Sequence, residues 1–375
     1  MTNQTPAPVR VALIFGGVSP EHDVSCLTAG GVARAIDSAR FEVVGIGITP
    51  SGRWVQVPVE EIKRFEVVDH RLPRLDEERP TALVMAGPEH TAQVATRTSD
   101  GFVDLHEFDV AFALLHGPFG EDGTIQGLFE MLGVRYVGSG VAASAIGMDK
   151  DLMKRSMAAA GLPVGPCVAI TTQQWEHERQ EVYDAIEALD YPLYVKPARG
   201  GSSLGITRVT DIADLRAAIE FAQTFDPKVI VEEGFGAVRE IEVAVLGGHD
   251  RGLPRTSVPG EIVMDTEDKF YDYEAKYTPE EQVRLDVPAV LPERVASEVR
   301  RLAGLTFSVM GVEGLARIDT FVDADSHVWI NELNTMPGFT TSSMFPKLWG
   351  ATGLAYPELI ADLIDQAMTR PMGLR

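Results

Sequence analysis

The sequence predicts a mixed α/β and α+β protein of two or three domains that opens on a parallel sheet. Three observations predict it. The first is an apolar strand ending in glycines, VRVALIFGG, followed by a helical run and a second strand, FEVVGIGIT, which together make a βαβ start. The second is another all-apolar strand, DVAFALLHG, whose end carries a polar loop, as expected where a parallel sheet binds ligands. The third is a change of pattern beyond Gly138, where strands alternate with a glycine-rich loop and single helices over a chain of 375 residues, long enough to bury more than one core.

The elements follow in order. A helix is expected over Val24–Ile36 and a Pro- and charge-rich surface excursion over Val57–Pro88. After DVAFALLHG come a helix at Thr124–Leu132, the short strand VRYVGSG, and one long helix through MDKDLMKRSMAAA, stopped by Gly161 and Pro163. The first boundary falls near Gly138. Beyond it, YPLYVKPA and GITRV are strands around a glycine-rich loop, DIADLRAAIEFAQ is helical, and KVIVEEGF is a strand. EIEVAVLGG is a strand, Glu267–Pro279 a polar tyrosine-rich loop and Glu293–Phe307 a helix, before the strand pair GLARIDTFVD and HVWINELN.

Composition removes several functions. With 33 Lys and Arg against 55 Asp and Glu the net charge is −22, which repels a phosphate backbone, so nucleic acid is not an expected partner. A nucleotide is not excluded, because a few local cations and a divalent metal reverse the sign inside a pocket. Two isolated cysteines, Cys26 and Cys167, suit reduced, buried thiols in a cytoplasmic protein. The apolar run Val11–Phe15 is too short for a secretory signal, and no apolar stretch reaches the ~18 residues of a spanning helix.

KPARGGSSLG places small residues from Gly200 to Gly205 beside Lys196, so backbone N–H groups can close around phosphate oxygens next to a fixed positive charge. Taken alone, the loop is equally compatible with a hairpin turn. It joins two strands and the chain has no Gly-Lys dipeptide, which excludes a Walker A loop. Gly138, Gly140 and Ala143 imitate a dinucleotide fingerprint, but the acidic residue expected after the next strand is missing. A plain strand-to-helix turn accounts for them.

The last strand pair carries the strongest constellation. Pairing about the turn Asp323–Ser326 sets Asp319 opposite Glu332 and Arg317 opposite Asn334, so period-two alternation projects all four to one side while Ile318 and Leu333 face the other. Two carboxylates and an amide oxygen suit Mg²⁺, and the lack of imidazole or thiolate argues against zinc. A solvated polar face is the competing account of the isolated hairpin. The following NTMPGFTTSSMF supplies a Gly-Pro loop with hydroxyls able to hold a carboxylate beside metals. HGPFGEDG and GGVSPEHDVS each end a strand with a His and acids, where a pocket or an ordinary turn and helix cap is expected.

GGVSPEHDVS, HGPFGEDG, GSGVAASAIGMDK, KPARGGSSLG, REIEVAVLG, EAKY, RIDT and NELNTMPGFTTSS, in this order, resemble the D-alanine:D-alanine ligase family of the ATP-grasp superfamily over nearly the whole chain. The resemblance implies a three-domain ATP-grasp fold, read here as residues 1–138, 139–235 and 236–375, with ATP between the last two. It implies an ADP-forming ligase of peptidoglycan precursor synthesis, in which one D-alanine carboxylate takes the γ-phosphate and the amine of a second displaces it.

Residue by residue, the resemblance implies that Glu21 binds the first D-alanine ammonium near His116, with Ser202 and Tyr277 linked across the site. Lys150, Lys196, Ser202 and Ser203 meet phosphates, and Lys276 meets the γ-phosphate. Glu232, Glu233, Phe235 and Glu240 surround adenosine; Glu233, Gly234 and Phe235 stand where relatives often carry a lysine and a bulky aromatic. Asp319, Glu332 and Asn334 hold two Mg²⁺ or Mn²⁺. Arg317 and the Gly338 N–H stabilise the oxyanion, and Ser343 and Met344 fix the second substrate. The segment through Tyr271 and Lys276 is a lid. A homodimer through the N-terminal domain is implied as well. The competing activities are D-alanine:D-lactate ligation, which tyrosine at position 277 disfavours, and a silent nucleotide-binding grasp protein.

Overall fold

The computed structural model describes residues 7–98, 101–201, 204–249, 252–264 and 283–373. Its first half contains the strands β1 (Val9–Gly16), β2 (Phe41–Ile48), β3 (Trp54–Gln56), β4 (Ala82–Ala86), β5 (Ala92–Thr98), β6 (Gly101–Phe108), β7 (Val110–Ala113) and β8 (Arg135–Tyr136). They form a sheet of order β3-β2-β1-β7-β8 and a separate antiparallel sheet, β4-β5-β6. Strand β1 runs parallel to both β2 and β7, so the loops that leave β1 and β7 emerge at one edge. Its buried run Val11–Phe15 explains why the strand reads as continuously apolar: the sheet is covered on both faces.

The second half contains β9 (Cys167–Thr171), β10 (Leu193–Pro197), β11 (Thr207–Val209), β12 (Lys228–Glu233), β13 (Arg239–Leu246), β14 (Arg255–Thr256), β15 (Gly260–Met264), β16 (Val283–Asp286), β17 (Leu315–Val322) and β18 (Val328–Asn334). An antiparallel sheet β11-β10-β12-β9 lies within residues 167–233, backed by the helices Arg179–Ile186 and Ile212–Ala222. A larger sheet, β16-β15-β13-β17-β18 with β14 on β13, follows. The helix Glu293–Val309 covers one face of it through Val295, Val299, Leu302 and Phe307.

One core joins the two ends of the chain. Val11, Leu13 and Phe112 of the parallel sheet share a buried cluster with Ala244, Leu246 and Leu315 of the large sheet, through Leu359, Leu363 and Ile364 of the helix Tyr356–Thr369. Arg370 seals the join by donating to the carbonyls of Gly138 (2.5 Å) and Tyr136 (2.8 Å). The loops after β1 and β7 are therefore fixed relative to β17 and β18.

Several expectations are corrected. The stretch Val57–Pro88 is not wholly a surface excursion, because it contains a short helix, Val59–Ile62, and strand β4, which opens the small antiparallel sheet. The run MDKDLMKRSMAAA is not one helix. Asp149 takes extended backbone (φ −91°, ψ 101°), ends the helix Val141–Met148 and caps the next, Lys150–Ala159, by accepting from the Leu152 N–H at 3.2 Å. Cys26 is buried, but Cys167 is only partly so. The tyrosine-rich loop Glu267–Pro279 lies outside the described residues.

Candidate active site

The paired strands β17 and β18 form the floor of the site. Arg317 pairs with Asn334 and Asp319 with Glu332, while Ile318 and Leu333 point into the core, as period two requires. A bulge between Asp319 and Thr320 shifts the register, so that Thr320 pairs with Ile330; turn arithmetic alone does not anticipate it. Arg317 donates Nε–H to Asp319 Oδ1 (2.7 Å) and an Nη2–H to Oδ2 (2.6 Å), and Asn334 Nδ2 adds a bond to the same Oδ2 at 2.9 Å. Glu242 on β13, which pairs directly with Asp319, lies 3.2 Å from Arg317 Nε. Burial disfavours the guanidinium charge, but Asp319 and Glu242 outweigh it and hold the Arg317 pKa well above its ordinary value.

Two adjoining cavities meet over this floor. The first, about 300 Å³, is lined by Glu21, His116, Lys150, Glu332, Asn334, Gly338, Ser343 and Met344. The second, about 220 Å³, is lined by Glu232, Glu233, Phe235, Glu240 and Asp319. Lys196, Glu242, Arg317 and Glu332 face both.

In the second cavity Lys196 on β10 and Lys154 on the helix Lys150–Ala159 converge on buried Glu232 of β12. Lys196 forms an ion pair with one oxygen, and Lys154 lies 3.0 Å from the other. Burial opposes the Glu232 charge, but the two ammonium groups override it and hold its carboxyl at about 2. Burial likewise opposes the Lys196 charge, and Glu232 raises its pKa above the ordinary value. Phe235 stacks on Trp329 with centroids 5.1 Å apart, which gives the cavity a flat apolar wall. Glu233 Oε2 accepts the Asp190 N–H at 3.1 Å, so this carboxylate also braces the loop before β10.

Lys150 stands in the first cavity. Its ammonium donates to the Gly200 carbonyl of the glycine-rich loop (2.8 Å) and lies 3.7 Å from Glu332. Ser202 and Ser203 of that loop, and Lys276 and Tyr277, lie outside the described residues.

In the first cavity the loops after β1 and β7 meet the loop after β18. Gly117 has φ +73°, and a Cβ there would lie 3.2 Å from Ser19 Oγ and 3.3 Å from Glu21 Oε2, so glycine is needed both for the backbone and for room beside the carboxylate. His116 is buried with Nδ1 3.1 Å from the Met336 carbonyl, and burial pushes its pKa down against the pull of Glu21. Glu121 accepts N–H bonds from Gly117 (2.8 Å) and Met336 (2.9 Å). Burial, opposed by those bonds and reinforced by Glu21, pushes its carboxyl up to about 7. Beyond Gly338, Ser343 Oγ accepts the Thr340 N–H at 3.1 Å and stands at the N-terminus of the helix Met344–Thr352. The Met344 side chain is packed in the core, which leaves its backbone for ligands.

Sequence reasoning passed over Glu121, Lys154 and Glu242. Two had a legible signal, since Glu242 shares a strand face with Glu240 and Lys154 stands one helical turn from Lys150. Asp319, Glu332 and Asn334 offer only hard oxygen donors beside phosphate-sized space, a set that fits Mg²⁺. Among the described residues no group of three or more His, Cys, Asp or Glu side chains is placed to hold a metal ion.

Family models described as D-ala D-ala ligase N-terminus and C-terminus match residues 10–139 and 156–365. The chain is 50% identical to a D-alanine–D-alanine ligase of Kineococcus radiotolerans, over 99% of each. It is 47% identical to one of an Arthrobacter species, covering 98% of this chain and 96% of the relative. Among solved structures it resembles the VanG D-Ala:D-Ser ligase of Enterococcus faecalis (TM-score 0.80, 32% identity, covering 96% of this chain and 100% of that one). The D-alanine-D-alanine ligase of Coxiella burnetii is also similar (TM-score 0.78, 30% identity, covering 96% and 94%).

Proposed function

This chain belongs to the D-ala D-ala ligase family, and on that premise we propose that it uses ATP to join two D-alanine molecules into D-alanyl-D-alanine, releasing ADP and phosphate. The observation that carries the reading is the shared wall, where Lys196, Glu242, Arg317 and Glu332 face both cavities, so that a nucleotide in one meets amino acids in the other.

The chemistry follows from what each cavity offers. A carboxylate oxygen of the first D-alanine attacks the γ-phosphorus of ATP; the new O–P bond forms as the bond to ADP breaks. This step supplies the leaving group a free carboxylate lacks. The amine of the second D-alanine then adds to the carbonyl carbon, and phosphate departs as the peptide bond closes. Glu21 holds the first ammonium beside His116. Lys150, Lys196, Ser202 and Ser203 hold phosphates, and Lys276 meets the γ-phosphate. Glu232, Glu233 and Glu240 surround adenosine beside Phe235. Arg317 and the Gly338 N–H face the developing oxyanion, where a charged donor already fixed by Asp319 needs little reorganisation. Ser343 and the Met344 N–H, at a helix N-terminus, receive the second carboxylate. Ser202 and Tyr277 form a hydrogen-bonded link across the site.

Asp319, Glu332 and Asn334 would hold Mg²⁺ or Mn²⁺, which when bound screens the repulsion between carboxylate and triphosphate. We also propose that the chain divides at residues 138 and 235, in keeping with sheets that do not cross those points. It works as a cytoplasmic homodimer; among the described residues no helix is long and apolar enough to cross a membrane. D-Lactate as second substrate is not favoured. The test is a panel of D-Ala, L-Ala, D-Ser and D-lactate with ATP and Mg²⁺, scored by product mass. D-alanyl-D-alanine as the dominant product is expected, and a depsipeptide or no product overturns the reading.

A further inference from the structure

We propose that Glu121 is a positioning residue that pins the Met336 peptide group, and with it the loop carrying Gly338, to the loop after β7. The inference rests on the ligase reading above. The geometry is a two-point grip: Glu121 Oε1 accepts the Met336 N–H at 2.9 Å, while His116 Nδ1 meets the carbonyl of the same residue at 3.1 Å. A carbonyl only accepts, so His116 carries its proton on Nδ1 and donates. Both polar groups of one buried residue are thereby held by neighbours on the loop after β7.

The grip is itself braced. The other Glu121 oxygen accepts the Gly117 N–H at 2.8 Å, the Glu121 N–H bonds to the Gly117 carbonyl at 2.9 Å, and Gln126 Nε2 ties down the Gly120 carbonyl at 2.7 Å. The loop after β7 is thus a rigid jaw. Met336 stands two residues before Gly338, and Gly338 lies against Ser343, where an added Cβ would approach Oγ to 3.1 Å. Movement at Met336 moves the proposed oxyanion donor and the seat of the second amino acid, whereas Phe235 and Glu232 stand in the other cavity. Two N–H donors converge on the two oxygens of one carboxylate. Glutamine keeps the shape but offers one acceptor, and its NH₂ opposes the second N–H.

The test compares wild type with Glu121→Gln and Glu121→Asp by steady-state kinetics, nucleotide binding and backbone hydrogen exchange. For Glu121→Gln we expect kcat for dipeptide to fall on the order of 10- to 100-fold, the range a misplaced reacting group costs. We also expect a raised KM for the second D-alanine, an unchanged ADP dissociation constant, and faster exchange confined to residues 335–339. Glu121→Asp, too short to span both donors, should show the same local exchange. Wild-type kcat and KM in Glu121→Gln, or exchange that rises throughout the protein in both variants, overturns the proposal. Wild type that makes no dipeptide overturns the ligase reading instead.

Discussion

Arg317 and Asp319, two residues apart on one strand, close a bidentate ion pair with contacts of 2.7 and 2.6 Å, Arg317 facing both cavities and Asp319 the second. A side chain on a strand reaches its same-face neighbour only at this spacing, so the RxD pattern sets the guanidinium and the proposed metal carboxylate in one plane. Arg317→Lys keeps the charge and loses the fork. Its kcat/KM should fall roughly 100- to 1000-fold, the cost of one oxyanion donor. Arg317→Met should in addition lower unfolding free energy by about 3–5 kcal/mol, because it removes the buried guanidinium that Asp319 and Glu242 face. Steady-state kinetics and urea unfolding check both.

The proposed metal ligand Glu332 should contribute to function far more than to stability. Its side chain is about one-third exposed, with Lys150 3.7 Å away. Glu332→Gln should lower D-alanine-dependent ATP turnover on the order of 100-fold at moderate Mg²⁺, since a metal supplies several kcal/mol of charge stabilisation. The melting temperature should stay close to wild type. A Mg²⁺ titration of turnover in the variant is the check, and wild-type turnover would contradict the metal assignment.

Glu232 links the proposed nucleotide cavity to acid stability. Its folded-state pKa is about 2 against an ordinary 4.5, so it binds fewer protons folded than unfolded below neutrality. The stability it contributes is present above pH 4.5 and is lost as pH falls through 2. The difference corresponds to about 3 kcal/mol. In Glu232→Gln that segment of the pH–stability curve should flatten, and ATP affinity should drop because Lys154 and Lys196 lose their anchor. Urea unfolding from pH 6 down to pH 2 measures it.

Phe235 lines the same cavity and is backed by the Trp329 ring stacked on it. Phe235→Ala should raise the KM for ATP roughly 3- to 10-fold, the worth of one aromatic contact, with kcat unchanged. A comparable fall in kcat would mean that the ring acts on the transferring phosphate.

The floor of the site was legible because strand pairing converts sequence spacing into space: the turn at Asp323–Ser326 and the alternation of Ile318 and Leu333 with charged residues place Arg317, Asp319, Glu332 and Asn334 together. Other features depend on contacts distant in sequence. Glu121 reads as one acid in a turn until Met336 arrives from 215 residues away, and Glu242 gains its role only from its pairing with Asp319. The break at Asp149 was hidden because the residues on both sides favour helix, and the bulge beside Thr320 leaves no local signature. The β4–β6 sheet was missed because its strands leave Leu83 and Leu105 exposed and lack clean alternation.

The central claim is that a D-alanine carboxylate takes the γ-phosphate before the peptide bond forms. D-alanine labelled with oxygen-18 in its carboxylate, turned over with ATP and Mg²⁺, tests it by mass analysis of the products. One labelled oxygen in each released phosphate, beside D-alanyl-D-alanine, is the predicted result. Dipeptide accompanied by unlabelled phosphate would contradict it.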